Sequence, residues 1–258
     1  MTFADAKQRF SNRVADYIRY RPGYPPAVLD HLRAECCLRA NHVIADIGSG
    51  TGLLSKLFLE KGNHVFGVEP NAEMRQAGEE FLRTFQEFFS VAGSAEATTL
   101  DATSVDFITA GQAFHWFEPE KTRAEFRRIL RPQGWVVAIW NFREMETSFA
   151  RAYEDILVKY GTDYARVRDS YPKGHDVQSF FLGGEFLHHT VPNVQFLDWD
   201  GLAGRLRSGS YVPQESHANF APMMDALREL FRWYQENGRV RVAYATHLYA
   251  GRLPTERK

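Results

Sequence analysis

The stretch Val43 to Gly52, V-I-A-D-I-G-S-G-T-G, constrains this chain more than any other. An apolar run stops at Asp46, gives way to three glycines at every second position, and leads at once into a helical pattern. That order reads as a strand, a tight turn and a helix start. Gly48, Gly50 and Gly52 have no Cβ to block positive φ or to hold a ligand away from the backbone, so the loop can press main-chain N–H groups against a small molecule. A phosphate-cradling loop would end in a lysine and a hydroxyl residue, but Leu53 and Leu54 follow here. A dinucleotide fingerprint, G-x-G-x-x-G, would need a glycine where Leu53 stands. The G-x-G-x-G spacing therefore argues against a nicotinamide cofactor.

His64 to Val68 reads as a second apolar strand, ending in Glu69, Pro70 and Asn71. An acid at that tip, about 20 residues past the glycines, is placed to accept hydrogen bonds from paired ribose hydroxyls. A carboxylate there would repel a ribose phosphate, so the expected ligand carries a free ribose. The plainer reading is a tight turn followed by a solvated acid that favours a helix N-terminus. Both features in order favour the ligand site.

D-I-G-S-G-T-G followed by G-V-E-P-N-A-E-M resembles the class I S-adenosylmethionine-dependent methyltransferases. The resemblance implies a Rossmann-like, doubly wound α/β fold: a mostly parallel seven-stranded sheet with an antiparallel C-terminal strand and a helical lid. It implies S-adenosyl-L-methionine as cofactor. The loop residues Asp46, Gly48, Ser49, Gly50 and Gly52 would wrap the methionine part and Glu69 the ribose, with Pro70 and Met74 in the same cofactor site.

The apolar share of 44% and charged share of 24% suit an ordinary globular enzyme. A formal charge of −1 gives no global field toward nucleic acid, so a small-molecule partner is expected. No apolar run approaches the ~20 residues of a bilayer helix, and the start lacks a signal-peptide core, so a cytoplasmic, non-membrane protein is expected. Cys36 and Cys37, the only cysteines, are too close together to staple a fold and too few for a zinc site; no metal is expected. Oligomeric state is not readable.

Three parts are expected: a helical lid over residues 1–38, a cofactor core over 39–141, and a helical insertion with final strands over 142–258. Phe10 to Leu38 reads as two short helices broken at R-P-G-Y-P-P. The opening S-N-R-V-A-D-Y-I-R-Y-R-P-G-Y-P resembles a subgroup that includes trans-aconitate methyltransferase-like enzymes, where it covers the cofactor. Tyr17 and Arg21 become candidates for the cofactor, and Tyr24 for the substrate. Packing aromatics and an exposed arginine explain them as well.

A helix follows the loop to Gly62, another starts at the N-cap Asn71, and a third strand spans Phe88 to Ala92. Just past that strand the family commonly grips the adenine amine with an acid. Here Ser94 holds the place, Ala95 would offer its backbone, and Glu96 is the nearby acid; a helix cap is the plainer reading. The fourth strand, Asp106 to Ala110, leads into G-Q-A-F-H-W-F. Its tip must lie beside the glycine loop in a parallel sheet, so Gly111 and Gln112 should face the cofactor and His115 and Trp116 the substrate. His115 suits a general base, or equally a neutral histidine behind an aromatic wall.

A helix from Pro119 and a continuously apolar fifth strand, Trp135 to Trp140, complete the cofactor half. Thr147 to Lys159 reads as helix, Tyr160 to Gly184 as an irregular insertion, and Val191 to Trp199 as a strand that Pro192 puts at an edge or bulge. G-L-A-G-R-L-R-S-G-S-Y-V-P resembles a segment common in the same subgroup, without a chemistry of its own; Ser210 and Tyr211 read as a turn. A helix through Leu227 and Tyr234 stops at Gly238, and Arg239 to Tyr249 alternates as the last strand.

The expected function is methyl transfer to a small-molecule acceptor, with oxygen ahead of carbon or nitrogen and a carboxylate suggested by the subgroup. Arg21 or Arg143 would hold that carboxylate. The rivals are a non-catalytic S-adenosylmethionine or S-adenosylhomocysteine binder, and an NAD-dependent oxidoreductase. No catalytic residue is assigned.

Overall fold

The computed structural model describes residues 14–169, 174–181 and 186–254. Among the described residues two helices precede the sheet, α1 (Val14–Tyr20) and α2 (Ala27–Cys36), separated at R-P-G-Y-P-P. β1 (Val43–Ile47), α3 (Leu53–Leu59), β2 (His64–Val68), α4 (Ala72–Leu82) and β3 (Phe88–Val91) then alternate. α4 starts where Asn71 accepts the N–H groups of Glu73 and Met74, both at 3.0 Å. β4 (Val105–Gly111), α5 (Pro119–Ile129) and β5 (Leu130–Arg143) finish the first half. Pro119 opens α5, where its missing N–H costs nothing.

The second half runs α6 (Ser148–Tyr160), α7 (Tyr164–Asp169), α8 (Gly174–Phe180), β6 (Phe186–Leu197), α9 (Trp199–Arg207), α10 (Phe220–Tyr234) and β7 (Val240–Gly251). All strands join one seven-stranded sheet in the order β3-β2-β1-β4-β5-β7-β6. β1 to β5 pair in parallel, while β7 runs antiparallel to both β5 and β6. Parallel strands must be covered on both faces, and successive residues point to opposite sides. Ile44 accordingly packs beneath α2 and α3, and Ala45 joins the opposite layer with Phe126 and Phe180. A third cluster, with Tyr153, Leu202, Leu227 and Val242, holds the second half.

The order reverses at β1, with β2 on one side and β4 on the other, so a crevice opens where these strands end. Pro192 lies on β6, the edge strand, where a missing donor is tolerated. One expectation shifts. The Tyr160 to Gly184 stretch contains the short helices α7 and α8, seated by buried Tyr164, Val167, Val177 and Phe180. The segment around Gly201, to which sequence reading assigned no element, is the helix α9, which Asp198 caps by accepting from Gly201 N–H at 2.8 Å, and Ser210 and Tyr211 follow in a turn as read. Among the described residues no helix is long and apolar enough to cross a membrane.

Candidate functional site

The glycine loop leaves β1 in a conformation that side chains resist. Gly48, Gly50 and Gly52 have φ of 66°, 56° and 82°. A Cβ on Gly48 would lie 2.7 Å from Ala113 Cβ, and one on Gly52 2.5 Å from Leu82 Cδ1. On Gly50 it would lie 3.3 Å from the terminal methyl of Met74. The loop is held from below: Gly48 N–H donates to Val68 O at 2.8 Å, and Gly50 N–H to Glu69 Oε2 at 2.9 Å. The other Glu69 oxygen accepts Asn71 N–H at 2.8 Å, so the acid at the β2 tip is pre-oriented by two backbone donors.

Asp46 is buried beneath the same loop and accepts from Ser55 Oγ at 2.6 Å and Thr109 Oγ1 at 3.1 Å. Burial outweighs these bonds and raises its pKa from 3.8 to about 7.

Above the loop lies a cavity of about 220 Å³. One wall is Asp46, Gly48, Ser49, Gly50, Thr51, Leu53 and Leu54, with Gly111 and Gln112 from the tip of β4. A Cβ on Gly111 would sit 2.4 Å from Tyr24 Oη, so a side chain there would push Tyr24 out of place. Gln112 turns with φ 59° and donates its side-chain amide to Asn141 O at 3.2 Å. Its Oε1 and the hydroxyl of buried Thr51 have no hydrogen-bond partner among the described residues. Both belong to residues lining the cavity.

Arg21, Pro22 and Tyr24, from the segment between α1 and α2, complete part of the enclosure. Side-chain amides tie this segment down: Asn193 Nδ2 donates to Gly23 O at 2.8 Å and Gln195 Nε2 to Tyr20 O at 3.1 Å. Arg21 donates to Ser208 O at 2.9 Å. Tyr17 stands in α1, with its side chain outside the described residues.

The far wall comes from the second half: Arg143, Glu154, Tyr164, Arg168, Arg205, Tyr211 and Tyr244. Glu154 is the hub of two arginines. It pairs closely with Arg143, accepts Tyr164 Oη at 2.5 Å, and lies 3.6 Å from Arg168. Arg143 also lies 4.7 Å over the Tyr153 ring. Arg205 differs. Its Nε donates to Tyr244 Oη at 3.3 Å, that hydroxyl donates to Gln195 at 2.8 Å, and no carboxylate among the described residues pairs with Arg205. Burial opposes its charge, but the oxygens of Tyr244, Tyr211 and Tyr153 outweigh burial and the net pKa shift is upward. Of the arginines on this far wall, Arg143 and Arg168 share Glu154, and Arg205 has no carboxylate beside it among the described residues.

The cavity thus gathers Asp46, Gly48, Ser49, Gly50, Arg21, Tyr24, Gly111 and Gln112 from the sequence-predicted residues. Others lie outside its lining. Glu69 and buried Met74 sit behind the loop, and Pro70 follows at the β2 tip. Ser94 closes a small turn with Ala97, Ala95 is buried in the core, and Glu96 braces α5 by accepting Glu118 N–H at 3.0 Å. His115 and Trp116 fall in a 3-10 turn, Phe114–Trp116, that curls away after Gln112. Trp116 packs on the core, and burial lowers the His115 pKa to about 4, leaving a neutral ring. Sequence reasoning missed Glu154, Tyr164, Arg168, Arg205 and Tyr244. The available signal was an arginine between Leu202 and Leu206 on the buried side of a helix.

Comparison with known proteins follows the same lines. The family profile described as a methyltransferase domain matches residues 45–138. An uncharacterized methyltransferase of Mycobacterium tuberculosis is 34% identical over 226 residues, 88% of this chain and 86% of that protein. A solved structure of a candidate type II methyltransferase from Anaeromyxobacter dehalogenans superposes with TM-score 0.67 at 24% identity, covering 91% of this chain and 98% of that one. Phosphoethanolamine N-methyltransferase 2 of Haemonchus contortus, in complex with phosphomonomethylethanolamine and S-adenosylhomocysteine, gives TM-score 0.56 at 15% identity over 98% of this chain and 59% of that one. The two structural likenesses speak for the fold.

Proposed function

We propose, because this chain belongs to the class I S-adenosylmethionine-dependent methyltransferases, that it transfers a methyl group to an oxygen of a small acidic acceptor, with a carboxylate preferred. The single observation that carries the acceptor class is Arg205, a cation without a carboxylate partner in the cavity that the glycine loop lines. A partly buried guanidinium without a counter-ion is costly, and an acceptor carboxylate would match it.

The residues present fit S-adenosyl-L-methionine. The positive-φ glycines form a cradle that side chains would fill, and Thr51 Oγ1 and Gln112 Oε1 offer unsatisfied polar atoms beside it. Asp46, Gly48, Ser49, Gly50 and Gly52 would hold the methionine portion, with Gly111, Gln112 and Arg21 around it. Glu69 would take the ribose hydroxyls, with Pro70 and Met74 beside it and Ser94, Ala95 and Glu96 toward the base. The bound cofactor supplies a methyl group already activated by its sulfonium. The chain's task is then to align an acceptor oxygen for direct in-line displacement, which can contribute ~7–11 kcal/mol. A carboxylate acceptor has no proton to lose at neutral pH, so no general base is required and neutral His115 is not needed. Tyr24, Tyr211 and Tyr244 shape the acceptor side, and Arg143 is occupied with Glu154.

The test is incubation of labelled S-adenosylmethionine with metabolite extracts separated by anion exchange. Label should appear in an acidic product. Arg205→Gln should reduce transfer by about 10- to 150-fold, the worth of a charged hydrogen bond of ~1.5–3 kcal/mol, with S-adenosylhomocysteine affinity unchanged. Label confined to neutral products, or full transfer by the variant, refutes the acceptor class. Absence of S-adenosylhomocysteine binding refutes the cofactor.

A further inference from the structure

Away from the cavity, on the other flank of α2, three side chains converge that no part of the reaction uses. His31 and Glu35 are one helical turn apart on α2 and therefore share a face. β6 brings His189 to the same place, while its neighbour His188 points to the opposite side of the sheet and stacks on Tyr249. His31 Nδ1 lies 3.3 Å and His189 Nε2 2.8 Å from the same Glu35 oxygen, and one ligand atom from each of the three residues lies within 4.8 Å of the others. The two imidazoles stack with centroids 4.1 Å apart.

His31 and Glu35 form a hydrogen-bonded i,i+4 pair, and what sets the cluster apart is the convergence of His189 on the same oxygen from another element. Among the described residues no lysine or arginine pairs with Glu35; its ionic partners are the two imidazoles. His189 Nε2 is shielded from solvent and close to the carboxylate, yet makes no hydrogen bond of normal geometry. Nitrogen and oxygen ligands at the usual ~2.0–2.2 Å from a tetrahedral zinc lie roughly 3.3 Å from one another, so the separations to Glu35 are near those of a shared ion. Sharing one ion requires the two stacked rings, 18° from parallel, to tilt toward a point that lies in both ring planes. Side-chain exposures of 36%, 33% and 29% leave a fourth position open to water.

We propose that His31, Glu35 and His189 form a binding site for a divalent transition metal of the imidazole-preferring class, zinc above all. Two nitrogens and one oxygen select that class over calcium or magnesium, which favour all-oxygen shells. The ion would clasp α2, which follows the Arg21–Tyr24 segment, to the edge strand β6. None of the three residues lines the cavity, so the role is structural.

The test uses the full chain without an affinity tag, stripped with chelator and titrated with Zn²⁺ by calorimetry and with Co²⁺ by visible absorption. One equivalent should bind, the Co²⁺ complex should show a d–d band, and Zn²⁺ should raise the melting temperature. His31→Gln and His189→Gln should each weaken binding by about tenfold or more, the 10–100-fold scale of disturbed metal sites, while His188→Gln leaves it unchanged. These substitutions lie away from the cavity and should not alter S-adenosylhomocysteine affinity, which serves as the folding check. Binding that survives both variants, or that falls in His188→Gln instead, overturns the site, as does no binding at 100-fold molar excess of metal.

Discussion

Asp46 should make this protein less stable as pH rises, the reverse of the usual behaviour of a carboxylate. The side chain is 1% exposed, and burial lifts its pKa from 3.8 to about 7 despite the Ser55 and Thr109 hydroxyls, with the Glu69 charge adding a smaller push in the same direction. Between those two values the folded chain holds the proton and the unfolded chain does not. Stability from this group is therefore full below 3.8, declines as pH rises toward 7, and is flat above. At 1.36 kcal/mol per unit, the loss is about 4 kcal/mol. His115 works in the opposite sense: burial lowers its pKa from 6.5 to about 4, so its contribution is full above 6.5 and is lost as pH falls toward 4. The two must be separated by difference. Asp46→Asn keeps the side-chain shape and an acceptor for Ser55, and leaves His115 untouched. Urea unfolding of both proteins across about pH 4 to 8 should show the variant gaining roughly 4 kcal/mol relative to the parent. A gap that stays constant would mean that Asp46 ionises as it does in water, and the burial argument would fail.

Gly50→Val should lose S-adenosylhomocysteine binding in calorimetry, since it puts a branched side chain at φ 56° on the ligand-facing loop and 3.3 Å from Met74. Its stability should drop by ~1–3 kcal/mol from backbone strain; unchanged affinity would remove the loop from the site. His115→Gln should keep turnover within about twofold, because the ring lies outside the cavity lining and is neutral near pH 7. A large fall in kcat with unchanged cofactor affinity would return the histidine to the chemistry.

The glycine loop and Glu69 were legible because their signal is local. Positive φ at Gly48, Gly50 and Gly52 leaves a mark in residue type, and a strand followed by an acid can be read without tertiary contacts. Gly111 and Gln112 were legible for the same reason, as the tip of a strand beside that loop. His115 and Trp116, read as facing the acceptor, stand in the 3-10 turn after Gln112 and do not line the cavity. The far wall was hidden by distance. Arg205 meets Tyr244 across 39 residues and stands in the same cavity as Asp46, far earlier in the chain. In sequence it looks like any solvated charge. His31 and Glu35 showed their helical spacing, but their third partner is supplied only by the sheet order.

The reversed strand β7 is the keystone of the acceptor side. β6 reaches the sheet only through β7, and β6 in turn supplies Asn193 and Gln195 to the segment over the cavity. A chain clipped after Arg239 would retain every glycine of the loop beneath the cavity. It would also lose Tyr244 and leave β6 unmoored, with His189 and both amide ties on it. Such a fragment would keep the glycine loop and Arg205, but Arg205 would lose the Tyr244 hydroxyl that holds it and the segment over the cavity would lose its anchor.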